Sequence, residues 1–326
     1  MNIAYLFPGQ GAQYTGMGKD LFDYSPAVRE LFEIGSDAGK LDLAALLFSG
    51  SEESLRKTDN TQIAVTLVNL AAAQVLADFG VRSTVSAGFS LGEYSALVDA
   101  GVLSRNDALT LVVQRGQIME RVSRHLDGAE GPAGMMAVMG QEAEAVRKIL
   151  ADASVEEAYP SLANSPVQTV IGGSARGLAA AREALKAAGV RKMIPLKVSG
   201  PFHTPLMAEA REDFSRILER VTFSEPAQPV YSNVTGSRIM SSHEARQMCL
   251  DQLVTTVSWV QEQRQILADG ADVVLEVGPG KVLQGLWSAL GKADPEWPVE
   301  RCHTAGTLEE IEKIALMLQK EEQRVG

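Results

Sequence analysis

Short apolar runs alternate along this chain with longer stretches in which apolar residues return every three or four positions. The runs suit buried parallel strands and the stretches suit helices packed over them. Ile3 to Phe7, Val85 to Ala87 and Val273 to Val277 predict strands. Gln62 to Phe79 predicts a long helix closed by Gly80, and Asn106 to Val122 another, with Ser104 and Asp107 placed as a capping pair. Trp259 to Ala268 predicts a third, with Gly270 at its C′ position, and Leu308 to Gln323 a charged helix. This alternation indicates an α/β fold with a mainly parallel sheet.

The texture changes between about Gly134 and Leu196. Strand Met135 to Met139, helix Glu142 to Ala151, strand Thr169 to Gly172, helix Gly177 to Ala188 and strand Lys192 to Leu196 follow in that order. The order predicts a small ferredoxin-like α+β unit, residues 131–196, inserted into a larger core made of 1–130 and 197–326. A chain of 326 residues exceeds the usual size of one core, so a second unit is expected.

Composition narrows the chemistry. No uninterrupted apolar run approaches a membrane span, and no basic region precedes the first apolar block, so neither membrane insertion nor a secretory signal is expected. Cys249 and Cys302 lie far apart without a C-x-x-C partner, which suits a reducing compartment and a cytoplasmic location. A net charge of −11 argues against nucleic acid or an anionic membrane as partner. None of the four histidines stands in H-E-x-x-H spacing, and Cys302-His303 lacks further ligands, so no metal is expected. The chain is expected to act as a monomer.

Gly88-Phe89-Ser90-Leu91-Gly92 falls between the predicted strand at Val85 and the helix-like stretch Glu93 to Val98. The setting allows a plain glycine-rich turn. It is also that of a nucleophile elbow, where a sharp strand-to-helix turn lifts a serine Oγ off the sheet. A serine nucleophile needs a base. His125, His243 and His303 read as surface positions, the last in a turn-like segment beside Cys302. His203 stands instead among rigid and apolar residues, Ser199-Gly200-Pro201-Phe202-His203-Thr204-Pro205, where it is either a structural histidine or the base. A base of this type would give a pH–rate limb in the usual imidazole range.

Two further signals concern charge. Ala108, Leu111, Val112, Arg115, Ile118, Met119 and Val122 form one stripe on the helix from Asn106, and Arg115 is its only charge. A guanidinium there is either an internal ion pair or a bidentate clamp on a substrate carboxylate. Pro8-Gly9-Gln10-Gly11-Ala12-Gln13, at the end of the first strand, reads as a turn or as a backbone N–H presented to an oxyanion.

Phe7-Pro8-Gly9-Gln10-Gly11-Ala12-Gln13, Gly88-Phe89-Ser90-Leu91-Gly92-Glu93, Gln114-Arg115-Gly116, Pro201-Phe202-His203 and Glu276-Val277-Gly278-Pro279-Gly280-Lys281 occur in this order. Together they resemble the malonyl-CoA:acyl carrier protein transacylase family of type II fatty-acid synthesis, over roughly residues 2–286. The resemblance implies an α/β hydrolase-like core with a ferredoxin-like insertion. It implies that Ser90 is acylated by malonyl-CoA, that His203 is its base, and that the backbone N–H groups of Gln10 and Leu91 form the oxyanion hole. Arg115 would hold the malonyl carboxylate, and the Gln252 carbonyl would orient the histidine. Asn164 would lie near the cleft. Malonyl-CoA and phosphopantetheinylated acyl carrier protein would be the substrates, with no bound cofactor. Phe89 departs from the family, whose commonest residue there is histidine, while Phe202 resembles the malonyl-selective members.

Other serine chemistry fits less well. A lipase or esterase would place Asp or Glu between serine and histidine and carry an H-G-G-G-type motif, and neither stands out. A patatin-like serine–aspartate reading could use Asp269-Gly270, but that pair reads better as a helix C-cap. A non-catalytic CoA-binding module would have no use for Ser90, His203 and Gln10 together. Within the acyltransferases, service to a polyketide synthase or a malonate decarboxylase has the same motifs. Because carrier proteins are acidic, this acidic chain needs a local cationic site to receive one. Lys186, Arg191 and Lys192, with Lys281, are the candidates, although the first three also suit a helix C-terminus complementing its own dipole.

Overall fold

The computed structural model describes residues 1–325. Eight strands form among them: Ile3–Phe7 (β1), Val85–Gly88 (β2), Gly134–Met139 (β3), Ala158–Ser165 (β4), Gln168–Gly173 (β5), Met193–Pro195 (β6), Val273–Glu276 (β7) and Cys302–Thr304 (β8). The first sheet has the order β2-β1-β7-β8 and is parallel throughout, with Ala4 opposite Val85 and Ile3 opposite Val273. Both of its faces are covered, which is why β1, β2 and β7 are apolar without alternation. Tyr5, Phe7 and Leu275 point into one apolar cluster, and Ala4, Leu6 and Val274 into a second that holds Trp259 and Trp287.

Helix Thr58–Asp78 runs through the larger cluster beside helix Arg105–His125. Its best 18-residue window has a mean hydropathy of 1.2, enough on length and composition to cross a membrane, yet 78% of that window is buried inside the protein. A helix surrounded by core on all sides is apolar all round for that reason. Ser104 caps helix Arg105–His125 by accepting the Asp107 N–H, and Gly80 and Gly270 take positive φ after their helices as the sequence predicts.

The second sheet has the order β4-β5-β3-β6 and is antiparallel. Its strands and the helices Ala143–Asp152 and Ala175–Ala187 follow one another as strand, helix, two strands, helix, strand. Met136, Val138 and Ile171 pack outward on Val146, Leu150, Ala181 and Leu185. Met135, Ala137 and Val170 face the main core. Two strands escape the sequence pattern. β4, with Pro160, Ser161, Asn164 and Ser165, lacks alternation because it carries two register irregularities. It is pinned at its outer edge, where Ala163 donates to the Val257 carbonyl and Val257 to that of Ser161 (both 2.9 Å). β8 is three residues long, so His303 lies in a half-buried edge strand and not in a turn.

Candidate active site

The chain leaves β1 and β2 at the same edge of the parallel sheet, and the two loops touch. A Cβ on Gly9 would stand 2.3 Å from the Phe89 carbonyl oxygen, and one on Gly92 would stand 1.9 Å from that of Phe7. Only glycine permits this approach. A third loop braces the pair: the Glu276 carboxylate accepts the N–H groups of Leu283 (2.9 Å) and Gln284 (2.8 Å), and Gly278 at φ 138° lies against Asn69 and Pro8. The fifth motif of the sequence is thus a helix cap that supports the first.

Ser90 sits at the apex of the second loop with φ 52°, a left-handed conformation that non-glycine residues rarely adopt. Helix Gly92–Asp99 starts directly after it. The Ser90 N–H is taken by Asn233 Oδ1 at 2.6 Å. The N–H groups of Leu91 and Gln10 have no acceptor among the described residues, so two unoccupied donors lie on the touching loops.

His203 also has a left-handed backbone, φ 60°, and is 4% exposed. Its Nε2 lies 2.6 Å from Ser90 Oγ, and its Nδ1 lies 2.7 Å from the Gln252 carbonyl oxygen. A carbonyl can only accept, so Nδ1 carries the proton and Nε2 is left to accept the Ser90 hydroxyl. Desolvation, and next the Arg115 charge, push the imidazole down to about 3 against the opposing pull of the Gln252 carbonyl. The sequence led to an acid limb in the ordinary imidazole range, whereas this environment would place it lower. Ser161 Oγ donates to the Phe202 carbonyl and Thr204 Oγ1 to that of Pro201 (both 2.6 Å), which fixes the loop.

Arg115 is 1% exposed. Its Nη1 donates to Gln62 Oε1 (2.7 Å) and its Nη2 to Gln252 Oε1 (2.9 Å), while Nε has no partner among the described residues. The guanidinium stands 5.5 Å from the centre of the Tyr94 ring. Both hydrogen-bond partners are neutral amides, so the internal ion pair that the stripe allowed is not what the structure forms. Burial lowers its pKa, but an arginine stays charged at any working pH. Among the described residues no carboxylate lies within salt-bridge distance of it, and buried Glu93 acts on it only at longer range, so the cation is costly to hold and suits an anionic ligand.

A cavity of about 90 Å³ joins these groups, with Gln10, Ser90, Arg115 and His203 on one side and Met135, Leu162 and Leu196 on the other. Phe89 and Phe202 line it as well, and Phe89 meets Trp259 edge-on. That volume holds a few non-hydrogen atoms. A wider open cleft of about 510 Å³ beside Glu157 and Arg176 contains none of this machinery.

Several of the sequence's candidates lie outside the cavity. Asn164 is buried on β4 with Oδ1 unpartnered among the described residues, and is not part of the cavity wall. Lys186 pairs with Glu183 (2.7 Å), while Arg191, Lys192 and Lys281 are exposed. Lys281 follows Gly280, which packs on Ala12 of the β1 loop. Asp269 binds Arg238 (2.9 Å) and Tyr231, whereas Ser90 Oγ is bonded to His203, which removes the serine–aspartate reading. Sequence reasoning missed Gln62, Glu93, Asn233 and Glu262, all buried around the elbow. Glu93 stands one turn after Ser90 on a buried helix, and that position was the available signal.

Residues 4–321 match the family described as the acyl transferase domain. The chain is 37% identical over 303 residues to the malonyl CoA-acyl carrier protein transacylase of Bacillus subtilis strain 168, covering 90% of this chain and 94% of that protein. It superposes on the crystal structure of the Clostridium perfringens malonyl CoA-acyl carrier protein transacylase with a TM-score of 0.90 at 33% identity, covering 100% and 99% of the two chains. A second solved structure is a type II PKS acyl-carrier protein in complex with its malonyl-transacylase, matched at a TM-score of 0.86 and 34% identity over 95% of this chain and 98% of that one. With an elbow serine, a carbonyl-held histidine and a buried arginine on one cavity, this chain belongs to the acyl transferase domain family, among the malonyl CoA-acyl carrier protein transacylases.

Proposed function

We propose that this protein moves a malonyl group from malonyl-CoA to the phosphopantetheine thiol of an acyl carrier protein through a malonyl-Ser90 ester, in ping-pong fashion, for fatty-acid synthesis. The observation that carries this reading is the placement of Ser90 and His203, hydrogen-bonded at 2.6 Å, on the same small cavity as a buried arginine whose hydrogen-bond partners are neutral amides. Malonyl is a short acyl group that ends in a carboxylate, and this cavity offers a short volume that ends in a guanidinium.

In the first half-reaction Ser90 Oγ attacks the thioester carbonyl carbon as its proton passes to His203 Nε2. The carbonyl oxygen takes up the negative charge beside the Gln10 and Leu91 N–H groups. The C–S bond then breaks, and the CoA sulfur leaves with the proton from Nε2. In the second half-reaction the carrier thiol gives its proton to Nε2 and attacks the ester, and the proton returns to Ser90 Oγ as the C–O bond breaks. The Gln252 carbonyl carries the imidazolium between these steps without accepting its proton. No cofactor enters either half-reaction.

The same reading takes residues 1–130 and 197–326 as an α/β hydrolase-like core and 131–196 as a ferredoxin-like insert, supported by the β4-β5-β3-β6 order of the second sheet. The carrier meets Arg191, Lys192 and Lys281, with Lys186 at the margin, and the enzyme works in the cytoplasm as a monomer. Phe202 favours malonyl over branched groups, and Asn164 steadies the cleft from β4. A polyketide-synthase carrier is the second reading, favoured by the likeness to a transacylase solved with such a partner.

Mass spectrometry of the intact protein mixed with malonyl-CoA tests the reading. One malonyl adduct is expected at Ser90, and it is expected to disappear when phosphopantetheinylated carrier is added. An adduct on any other side chain, or one that the carrier cannot discharge, contradicts it. Offering fatty-acid and polyketide carriers in turn separates the two pathways.

A further inference from the structure

Beside the elbow lies a buried polar cluster that neither half-reaction uses and that does not line the cavity: Asn233, Glu262 and Glu93. Asn233 Nδ2 donates to the Gly88 carbonyl (2.7 Å) and to Glu262 Oε1 (2.9 Å). With both amide hydrogens engaged, the side chain can sit only one way round, and its oxygen then faces the Ser90 N–H at 2.6 Å. Glu262 is wholly buried, and its Oε2 has no partner among the described residues. Desolvation, reinforced by Glu93, raises Glu262 well above the usual carboxylate range, and its Oε1 accepts from Asn233. Gln252 Nε2 meanwhile donates to the Ser90 carbonyl at 3.0 Å. Both backbone polar groups of the strained serine are therefore held by side chains from other parts of the chain.

We propose that Asn233, oriented by Glu262, is a positioning residue for acyl transfer: it holds Ser90 in its left-handed backbone and, by occupying the Ser90 N–H, assigns the oxyanion to the Leu91 N–H. The proposal rests on Ser90 being the nucleophile. A hydroxyl released from that backbone loses its alignment with His203 Nε2, and misplacement by about 1 Å costs on the order of 100-fold in rate.

Rapid-quench malonylation of the full chain tests it. Asn233→Ala is expected to malonylate about 100-fold more slowly, with its dissociation constant for malonyl-CoA within about threefold of wild type. Sulfonylation of Ser90 by phenylmethylsulfonyl fluoride, which has no carboxylate for Arg115, should slow in parallel. Glu262→Gln keeps an oxygen for Asn233 Nδ2 and should stay within about threefold of wild type, whereas Glu262→Leu should fall about tenfold. A near-wild-type rate in Asn233→Ala overturns the proposal, as does a loss confined to malonyl-CoA affinity with sulfonylation unchanged. If Asn233→Ala does not fold, the two Glu262 variants decide, and equal rates in them overturn it. Malonyl incorporation in Ser90→Ala contradicts the nucleophile assignment instead, and says nothing of Asn233.

Discussion

Around Ser90 and His203 the polar groups that set the reacting geometry meet partners inside the protein, whereas on the same cavity Arg115 is left with two neutral amides and a bare Nε. The first region is complete before any substrate arrives. The second, on the proposed function, is completed by the substrate's carboxylate. Preorganised donors and a fixed base lower the barrier for any acyl thioester. A buried cation without a salt-bridge partner would discriminate, because a neutral acyl group leaves its cost in place while a carboxylate lowers it. Gln252 links the regions, giving its carbonyl to His203, its Oε1 to Arg115 and its Nε2 to the Ser90 backbone.

Breaking the finished region should have the largest effect. His203→Ala is expected to lower transfer by about 10²–10⁴-fold for malonyl and acetyl groups alike, since the base serves every acyl substrate. Steady-state rates with both CoA thioesters check this, and a loss confined to malonyl transfer would merge the two regions into one. Breaking the unfinished region should separate the substrates. Arg115→Ala is expected to cost malonyl transfer about 3–5 kcal/mol and acetyl transfer much less. Equal losses in kcat/KM for the two thioesters would make Arg115 structural.

The smallest effect sharpens the comparison. An unperturbed imidazole near 6.5 would make kcat/KM fall tenfold per pH unit below that value, but His203 is pushed down to about 3 and stays a free base. The malonyl-CoA profile should therefore be flat between about pH 5 and 6.5. A bound malonyl carboxylate offsets the Arg115 charge, one of the two causes of that depression, so the acid limb of kcat should lie above that of kcat/KM. Coincident limbs would mean that the carboxylate does not reach Arg115.

The finished region was the more legible in the sequence, because an elbow announces itself locally: an apolar strand, two glycines around a serine, then a helix. His203 was isolated by its rigid apolar loop, and Arg115 by being the one charge on an apolar stripe. What held them was not legible. Gln62 hides on a helix that is apolar on every side, and Asn233 lies in a loop whose Ser-Asn-Val-Thr-Gly texture is that of any turn. Their meaning depends on contacts distant in sequence, Arg115 with Gln62 across 53 residues and Ser90 with Asn233 across 143, that no local pattern encodes. β4 was missed for a related reason. Its backbone groups and Ser161 find partners in the segment before Trp259 and in the His203 loop, so its burial leaves no period of two.

The cavity wall formed by Met135, Leu162 and Leu196 comes from the antiparallel sheet and its trailing segment, while Ser90, Gln10 and Arg115 come from the parallel one and its helices. Part of the apolar wall thus lies on a different stretch of chain from the elbow serine and the buried arginine. Variation between residues 134 and 198 can reshape what fits without moving the glycine contacts that hold the two loops together.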